Sequence, residues 1–249
     1  MSYEQIQVVG NGPTATVMMD RPDALNAITP QMLAELNAAV DELIADGGVR
    51  VMTLTGAGRA FSAGVDLKAL GDRELTGGSV GDILDVPARS LTDKLANGRL
   101  ITIAKVNGFC FTGALELALA CDLMVTANEA KMADTHAKFG LRPTWGMSQR
   151  LPALVGMARA RELSYSARTF TGLEAVEMGM ACNSMPADEL DATVDALAAS
   201  ICESSAGSLI AYRDLFQAAE SLGIDAGLAY EYSHDYDIDD TDERLGSFR

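Results

Sequence analysis

The chain has 249 residues, 48% of them hydrophobic, with 35 acidic side chains against 19 basic ones and a formal charge of −16. That length suits one large domain or a domain with a small appendage, and the apolar content is enough for a substantial core. The charge excludes the basic surface that a nucleic-acid partner requires and argues against an anionic membrane, while leaving room for a phosphorylated ligand held by a few local Arg or Lys residues.

In chain order, Ile6 to Val9 and Thr14 to Met19 read as two strands of a hairpin joined by Gly10-Asn11-Gly12-Pro13. Thr29-Pro30 supplies an N-cap followed by proline at the first helical position. The helix that follows runs to about Asp46, with Met32, Leu33, Leu36, Ala39, Val40 and Leu43 on one face, and Gly47-Gly48 stops it. Arg50 to Thr55 is the next strand. Gly71 to Gly81 is polar and glycine-rich and reads as a mobile loop over a site. A helix from about Ile83 to Asn97, a strand from Leu100 to Val106 and a buried helix from Ala114 to Cys121 come next. Strands over Leu123 to Ala127 and Lys131 to Ala133 precede helices at about Ser148–Leu154, Ala158–Ser166 and Gly172–Met178. Long helical patterns follow over Ala187–Ser204 and Ser208–Ser221, and an acidic surface stretch closes the chain from Asp235 to Arg249. Strand, strand, helix, repeated and then followed by helices alone, describes a layered α/β core with a helical C-terminal part.

Two segments carry the chemistry. Each is an apolar strand followed by a glycine turn that is expected to open a helix: Ala63-Gly64-Val65-Asp66 and Thr112-Gly113-Ala114-Leu115-Glu116. A helix start leaves backbone N–H groups unpaired, and two such groups aimed at one point form a hole for an oxyanion. Either glycine alone is as well explained as a turn former. Glu116 stands among Ala114, Leu115, Leu117, Ala118, Leu119 and Ala120. A buried carboxylate there is either poised for proton transfer or simply stabilises the helix dipole. His136 is a candidate second acid/base, with a hydrogen-bonded loop histidine as the plainer reading. His234 lies far away among acidic residues, so a histidine metal site has no support. No GxSxG elbow, phosphate loop or dinucleotide fingerprint is present. Cys110, Cys121, Cys182 and Cys202 have no metal-like spacing and apolar flanks, and read as buried free thiols of a reducing compartment. The first residues have no secretory pattern, and Lys105, Asn107, Glu116 and Asp122 interrupt the longest apolar stretch. A cytoplasmic protein without a membrane span is expected.

Four stretches together resemble the crotonase family, the enoyl-CoA hydratase/isomerase superfamily: Arg21 to Ile28, Gly58 to Lys68, Val106-Asn107-Gly108 through Cys121-Asp122, and Gln149-Arg150-Leu151-Pro152. They occur in the family's order and spacing, over about Tyr3 to Ala181. The resemblance implies a crotonase-like spiral of repeated ββα units over residues 1–190 and a helical trimerisation region over 191–249. It further implies a homotrimer or a hexamer built as a dimer of trimers, and an acyl-CoA thioester as substrate, with coenzyme A as part of that substrate and no separate cofactor.

By position, the resemblance gives the N–H groups of Val65 and Gly113 to the thioester oxygen. Such donors supply roughly 3–4 kcal/mol each where enolate charge develops. Ala24, Leu25, Ala63, Asp66, Leu67 and Lys68 fall where the family contacts coenzyme A, with Arg21 a weaker candidate. Glu116 matches the first of the two glutamates of the family's hydratases. At the second the chain departs, for His136 stands there, and Pro143-Thr144-Trp145-Gly146 replaces a Pro-Gly that helps hold water. Imidazole can both accept and donate a proton, so the leading expectation is an enoyl-CoA hydratase-like lyase. Another crotonase-type reaction (decarboxylation, hydrolysis, C–C cleavage or isomerisation) is the alternative, as is a non-catalytic acyl-CoA-binding subunit. Isomerisation fits less well, because the family's isomerases keep the second acid and lose the first.

Overall fold

The structure is a computed structural model that describes residues 3–71 and 76–246. The chain divides into two compact units, residues 1–198 and 199–249.

In the first unit, β1 (Ile6–Asn11) and β2 (Thr14–Met19) form the expected hairpin, paired antiparallel with Ile6 opposite Met19. Thr29 caps α1 (Pro30–Ala45), its hydroxyl accepting the Met32 N–H at 3.0 Å. Then long and short strands alternate: β3 (Val51–Gly56) and β4 (Ala60–Ser62), β5 (Ile101–Val106) and β6 (Phe109–Phe111), β7 (Leu123–Ala127) and β8 (Lys131–Ala133). Helix α2 (Asp82–Asn97) lies between the first two pairs, and α3 (Gly113–Leu119) between the last two. Helices α4 (Met147–Val155) and α5 (Met157–Ser166) lead to β9 (Phe170–Thr171), α6 (Gly172–Glu177), β10 (Asn183–Met185) and α7 (Leu190–Glu203).

The long strands make a six-stranded sheet in the order β1-β2-β3-β5-β7-β10, parallel from β2 onward. The short ones make a second sheet in the order β4-β6-β8-β9. From β3 onward each ββα unit thus adds one strand to each sheet before its helix, which is the spiral expected from the sequence. Every residue of β3 is buried, as for a strand covered on both faces. Tight corners join long strands to short ones. A Cβ on Gly108 would lie 2.1 Å from the Arg59 carbonyl oxygen, so only glycine fits that corner. Asparagines tie the corners together: Asn26 Nδ2 donates to the carbonyls of Ala57 and Ala60, and Asn107 Nδ2 to those of Gly56 and Gly58.

Three expectations change. The turn at Ala63–Asp66 opens only a single 3₁₀ turn, Leu67–Leu70, and no α-helix; Asp66 caps it by accepting the Lys68 and Ala69 N–H groups. Part of the loop expected over Gly71–Gly81 (residues 72–75) lies outside the described residues. Its later part is fastened, because Gly77 and Gly78 carbonyls accept from Arg142 Nε and N at 3.0 and 2.9 Å. Of the four free cysteines only Cys110 is buried; Cys182 is exposed, immediately before β10, the last strand in the order of the six-stranded sheet.

The second unit continues from the end of α7 through α8 (Ala206–Ser221), α9 (Ile224–Ser233) and α10 (Thr241–Gly246). Ser205 caps α8 and donates to Asp240 at 2.5 Å. Asp214 accepts from the hydroxyls of Tyr230 and Tyr236 at 3.0 and 2.6 Å, binding α8 to the segment around α9. The acidic end is exposed as expected, yet part of it is helical. The sequence reading places the change from core to helices at 190/191, eight residues before the division between the compact units.

Candidate active site

A cavity of about 140 Å³ lies where the two glycine turns meet, lined by Ala63, Val65, Leu67, Thr112, Gly113, Glu116, Thr135, His136 and Trp145, with Val80, Phe139, Leu141, Arg142 and Thr144. It is small beside the roughly 300–1,000 Å³ of most ligand pockets.

Its two amides are held by different devices. Val65 forms an isolated parallel bridge with Ile28: Gly64 O accepts the Ile28 N–H at 2.8 Å and Ile28 O accepts the Asp66 N–H at 2.9 Å. The Gly64 N–H is taken by Ser62 Oγ at 3.1 Å. The bonds on both sides thereby fix the peptide that carries the Val65 N–H. Gly113 is the first residue of α3 and follows Thr112, whose backbone sits at φ 53°, ψ −111°. Such a conformation in a β-branched residue carries about 1–3 kcal/mol of strain. The Thr112 N–H bonds to Ala133 O at 2.9 Å, and its hydroxyl meets that of Thr135, which holds the strained residue in place. Among the described residues neither the Val65 nor the Gly113 N–H has an acceptor.

All seven residues of α3 are buried, including Glu116, which is 1% exposed. Its Oε1 accepts the N–H groups of Trp145 and Met147, both at 3.0 Å. Those two donors fix the carboxylate, and Oε2 lies 3.5 Å from His136 Nε2. His136 is also buried, and its Nδ1 lies 2.7 Å from Asp134 Oδ1. Burial works against a charged imidazole here, but hydrogen bonding and attraction from Asp134 and Glu116 outweigh it and raise His136 to about 9. Burial likewise opposes the Asp134 carboxylate, but hydrogen bonds from His136 and Ser164 hold it below the ordinary carboxylate range. At neutral pH the ring is therefore a cation, lying between the side chains of Asp134 and Glu116.

Trp145 closes one wall. Its ring packs against Gly113, where a Cβ would lie 2.6 Å from it, and its indole Nε1 donates to buried Asp85 at 2.8 Å. Asp85 also accepts from Ser79 at 2.5 Å and Thr144 at 2.7 Å, which fastens the end of the glycine-rich loop to the same wall.

The fold thus brings together Glu116, His136, Val65, Gly113, Ala63 and Leu67. Lys68 is exposed, while Ala24 and Leu25 sit at a 3₁₀ turn beside Ala63, whose N–H donates to Leu25 O at 2.9 Å. The Asp66 carboxylate faces inward to its cap and to Arg21, 3.0 Å away. Asp134, Asp85 and Thr112 receive no role in the sequence reading. The available signal was Asp134 two residues before His136, since an Asp commonly accepts the N–H two residues on, as it does here at 3.2 Å.

Two amides free to donate, a fixed carboxylate and a cationic imidazole thus share one small cavity in a ββα spiral. The family model for enoyl-CoA hydratase/isomerase matches residues 10–247, so the chain belongs to that family. A Mycobacterium bovis protein named as a probable enoyl-CoA hydratase is 32% identical over 251 residues, covering all of this chain and 96% of that one. The crystal structure of an enoyl-CoA hydratase from Bacillus anthracis superposes with a TM-score of 0.87 at 27% identity, covering 92% of this chain and 88% of that one. A Thermobifida fusca structure solved with acetoacetyl-CoA gives a TM-score of 0.83 at 27% identity, covering 92% of each chain.

Proposed function

We propose that the protein hydrates the 2,3 double bond of a 2-enoyl-CoA thioester. The observation that carries this reading is the facing pair, Glu116 Oε2 and His136 Nε2 at 3.5 Å, at a cavity lined also by Val65 and Gly113. The thioester oxygen accepts from the two amides. Glu116 takes a proton from water as its oxygen bonds to C3, and the electron pair of the double bond moves to C2 and the thioester oxygen. His136 then gives its Nε2 proton to C2. This leaves a carboxylic acid facing a neutral imidazole, and one proton passing across the pair restores both groups. Water is thus the only reagent consumed.

A placement of coenzyme A along Ala24, Leu25 and the Ala63–Lys68 segment is supported by Ala63, Val65 and Leu67 lining the cavity and by the Ala63 N–H bond to Leu25 O. Lys68 and Arg21 are the cations at hand, although Arg21 is engaged by Asp66. Assembly as a homotrimer or a dimer of trimers is supported by the exposed apolar side chains of the C-terminal unit, among them Tyr212, Phe216, Ile224 and Tyr232. Free cysteines suit a reducing compartment such as the cytoplasm.

The test is to add short trans-2-enoyl-CoA substrates and follow both the conjugated absorbance and the product mass. A product of substrate plus one water supports hydration. Folded protein that gives no such product at any chain length, or one of another mass from a panel of acyl-CoAs, overturns it. Light scattering checks the assembly.

A further inference from the structure

Hydration needs a donor for C2 as well as a base for water, and the donor here is an imidazole where a carboxyl group would do the same work unaided. A histidine ring has two nitrogens and three protonation arrangements, so it can face C2 as a donor or as an acceptor. Something must decide which. The ring is held from one side only by a side chain of its own segment: Asp134 Oδ1 is 2.7 Å from Nδ1 and accepts the His136 backbone N–H at 3.2 Å. Asp134 is itself 3% exposed and lines no part of the cavity. An acceptor at Nδ1 obliges that nitrogen to carry a proton, and the backbone bond fixes the angle at which the ring leaves the chain. Nε2 is then turned toward Glu116 and the cavity.

Resting on the hydratase reading, we propose that Asp134 is a positioning residue that fixes the His136 ring through Nδ1 and keeps it doubly protonated, so that Nε2–H is the proton delivered to C2. Asp134 touches no substrate and acts only through His136. The charged groups that face the ring are Asp134 on its own segment and Glu116 from α3; Arg142 also lines the cavity, with its Nε donating to Gly77 O. Removing the Asp134 charge leaves Glu116 alone against burial. The ring then loses its proton at lower pH, by roughly one to three pH units, the usual effect of an adjacent opposite charge.

The chain has only two histidines, so the experiment is direct. Nitrogen-15 spectra of the imidazoles follow His136 as pH is raised, with His234→Gln identifying the other signal. The unsubstituted protein is expected to show both His136 nitrogens protonated at pH 7, and Asp134→Asn to move its midpoint down by that amount. The alkaline limb of the hydration profile should move with it, kcat falling at pH 8 while KM stays within a few-fold. Asp134→Glu, which restores the charge on a longer arm, should recover part of the shift. A neutral His136 at pH 7 in the unsubstituted protein overturns the proposal even if no variant folds. So does an unmoved midpoint in folded Asp134→Asn. Should the midpoint move in a protein that hydrates no enoyl-CoA, the pairing stands and the hydratase reading alone falls.

Discussion

The two glycine turns that meet at the cavity share a sequence pattern and reach the same end, an unpaired amide, by different physics. At the first, Gly64 takes φ +89° without penalty, a strand-like bridge to Ile28 fixes the peptide, and one 3₁₀ turn follows. At the second, a threonine occupies a disfavoured backbone region, Ala133 and Thr135 hold it there, and an α-helix opens at once. Each turn also places one acid beside one cation. Asp66 pairs with the permanent charge of Arg21 at a partly exposed site, and Glu116 pairs with the titratable ring of His136 at a buried one. On the hydratase reading the first turn therefore positions an amide, whereas the second positions an amide beside a pair that can exchange a proton.

That contrast breaks most visibly if the proton-bearing side is silenced. Glu116→Gln keeps the size and one acceptor for the Trp145 and Met147 N–H groups but cannot take a proton from water. A general base contributes about 10²- to 10⁴-fold, so kcat for a short 2-enoyl-CoA should fall by that factor, with the acyl-CoA still bound when measured by calorimetry. Equal turnover in the variant would reduce Glu116 to a structural acid like Asp66.

The same contrast predicts which turn feels pH. Because His136 is raised to about 9 from an ordinary value near 6.5, its ionised form is stabilised by folding. That contribution is complete below about pH 6.5 and is lost as pH rises through 9, on the order of 3 kcal/mol in all. Chemical denaturation between pH 6.5 and 10 should show the decline, and His136→Gln should flatten it. Asp66 pairs with Arg21 and touches neither His136 nor its partners, so Asp66→Asn should leave the slope unchanged.

The backbone devices separate at the next level of effect. A Cβ on Gly64 would lie 2.7 Å from the Phe111 carbonyl oxygen, a backbone atom, and would demand φ +89° of an alanine. Gly64→Ala should cost about 2 kcal/mol of unfolding free energy. A Cβ on Gly113 meets the buried Trp145 ring instead, a side chain anchored to Asp85, so Gly113→Ala should cost about 1–3 kcal/mol while also lowering kcat through the displaced wall. Thermal melts paired with kinetics distinguish the two.

How far the sequence revealed this site depends on how local each feature is. Thr29-Pro30, the strand run Val51–Leu54 and the helix around Glu116 are decided by neighbours in the chain, and each stands close to where the sequence places it. Glu116 and His136, twenty residues apart, meet because β7 and β8 return the chain to the end of β6. The family resemblance anticipated that meeting, and residue chemistry alone left it open. The helix expected after Val65 does not form, because the bridge from Ile28 competes for the peptides that would begin it, and nothing near residue 65 announces residue 28 as a partner. Asp134 and Asp85 went without a role for the opposite reason: a carboxylate in a polar stretch reads as solvated until the fold buries it. Cys182 fails in reverse, with apolar flanks that belong to a sheet edge.

The smallest effect completes the comparison. Asp66 accepts two N–H groups of the 3₁₀ turn, at 3.1 and 3.4 Å, and pairs with Arg21, whose side chain is 25% exposed. A partly exposed ion pair of this kind is worth about 1 kcal/mol or less and a cap about 1 kcal/mol. Asp66→Ala should therefore lower stability by about 1 kcal/mol, with most of the loss surviving in 1 M salt because the cap is the larger part. It should leave kcat nearly unchanged, since the Val65 peptide is held by Ile28 and not by the cap. If kcat instead fell as far as in Glu116→Gln, the first turn would be doing more than hold a peptide in place, and the division between a turn that positions and a turn that also carries a proton would fail.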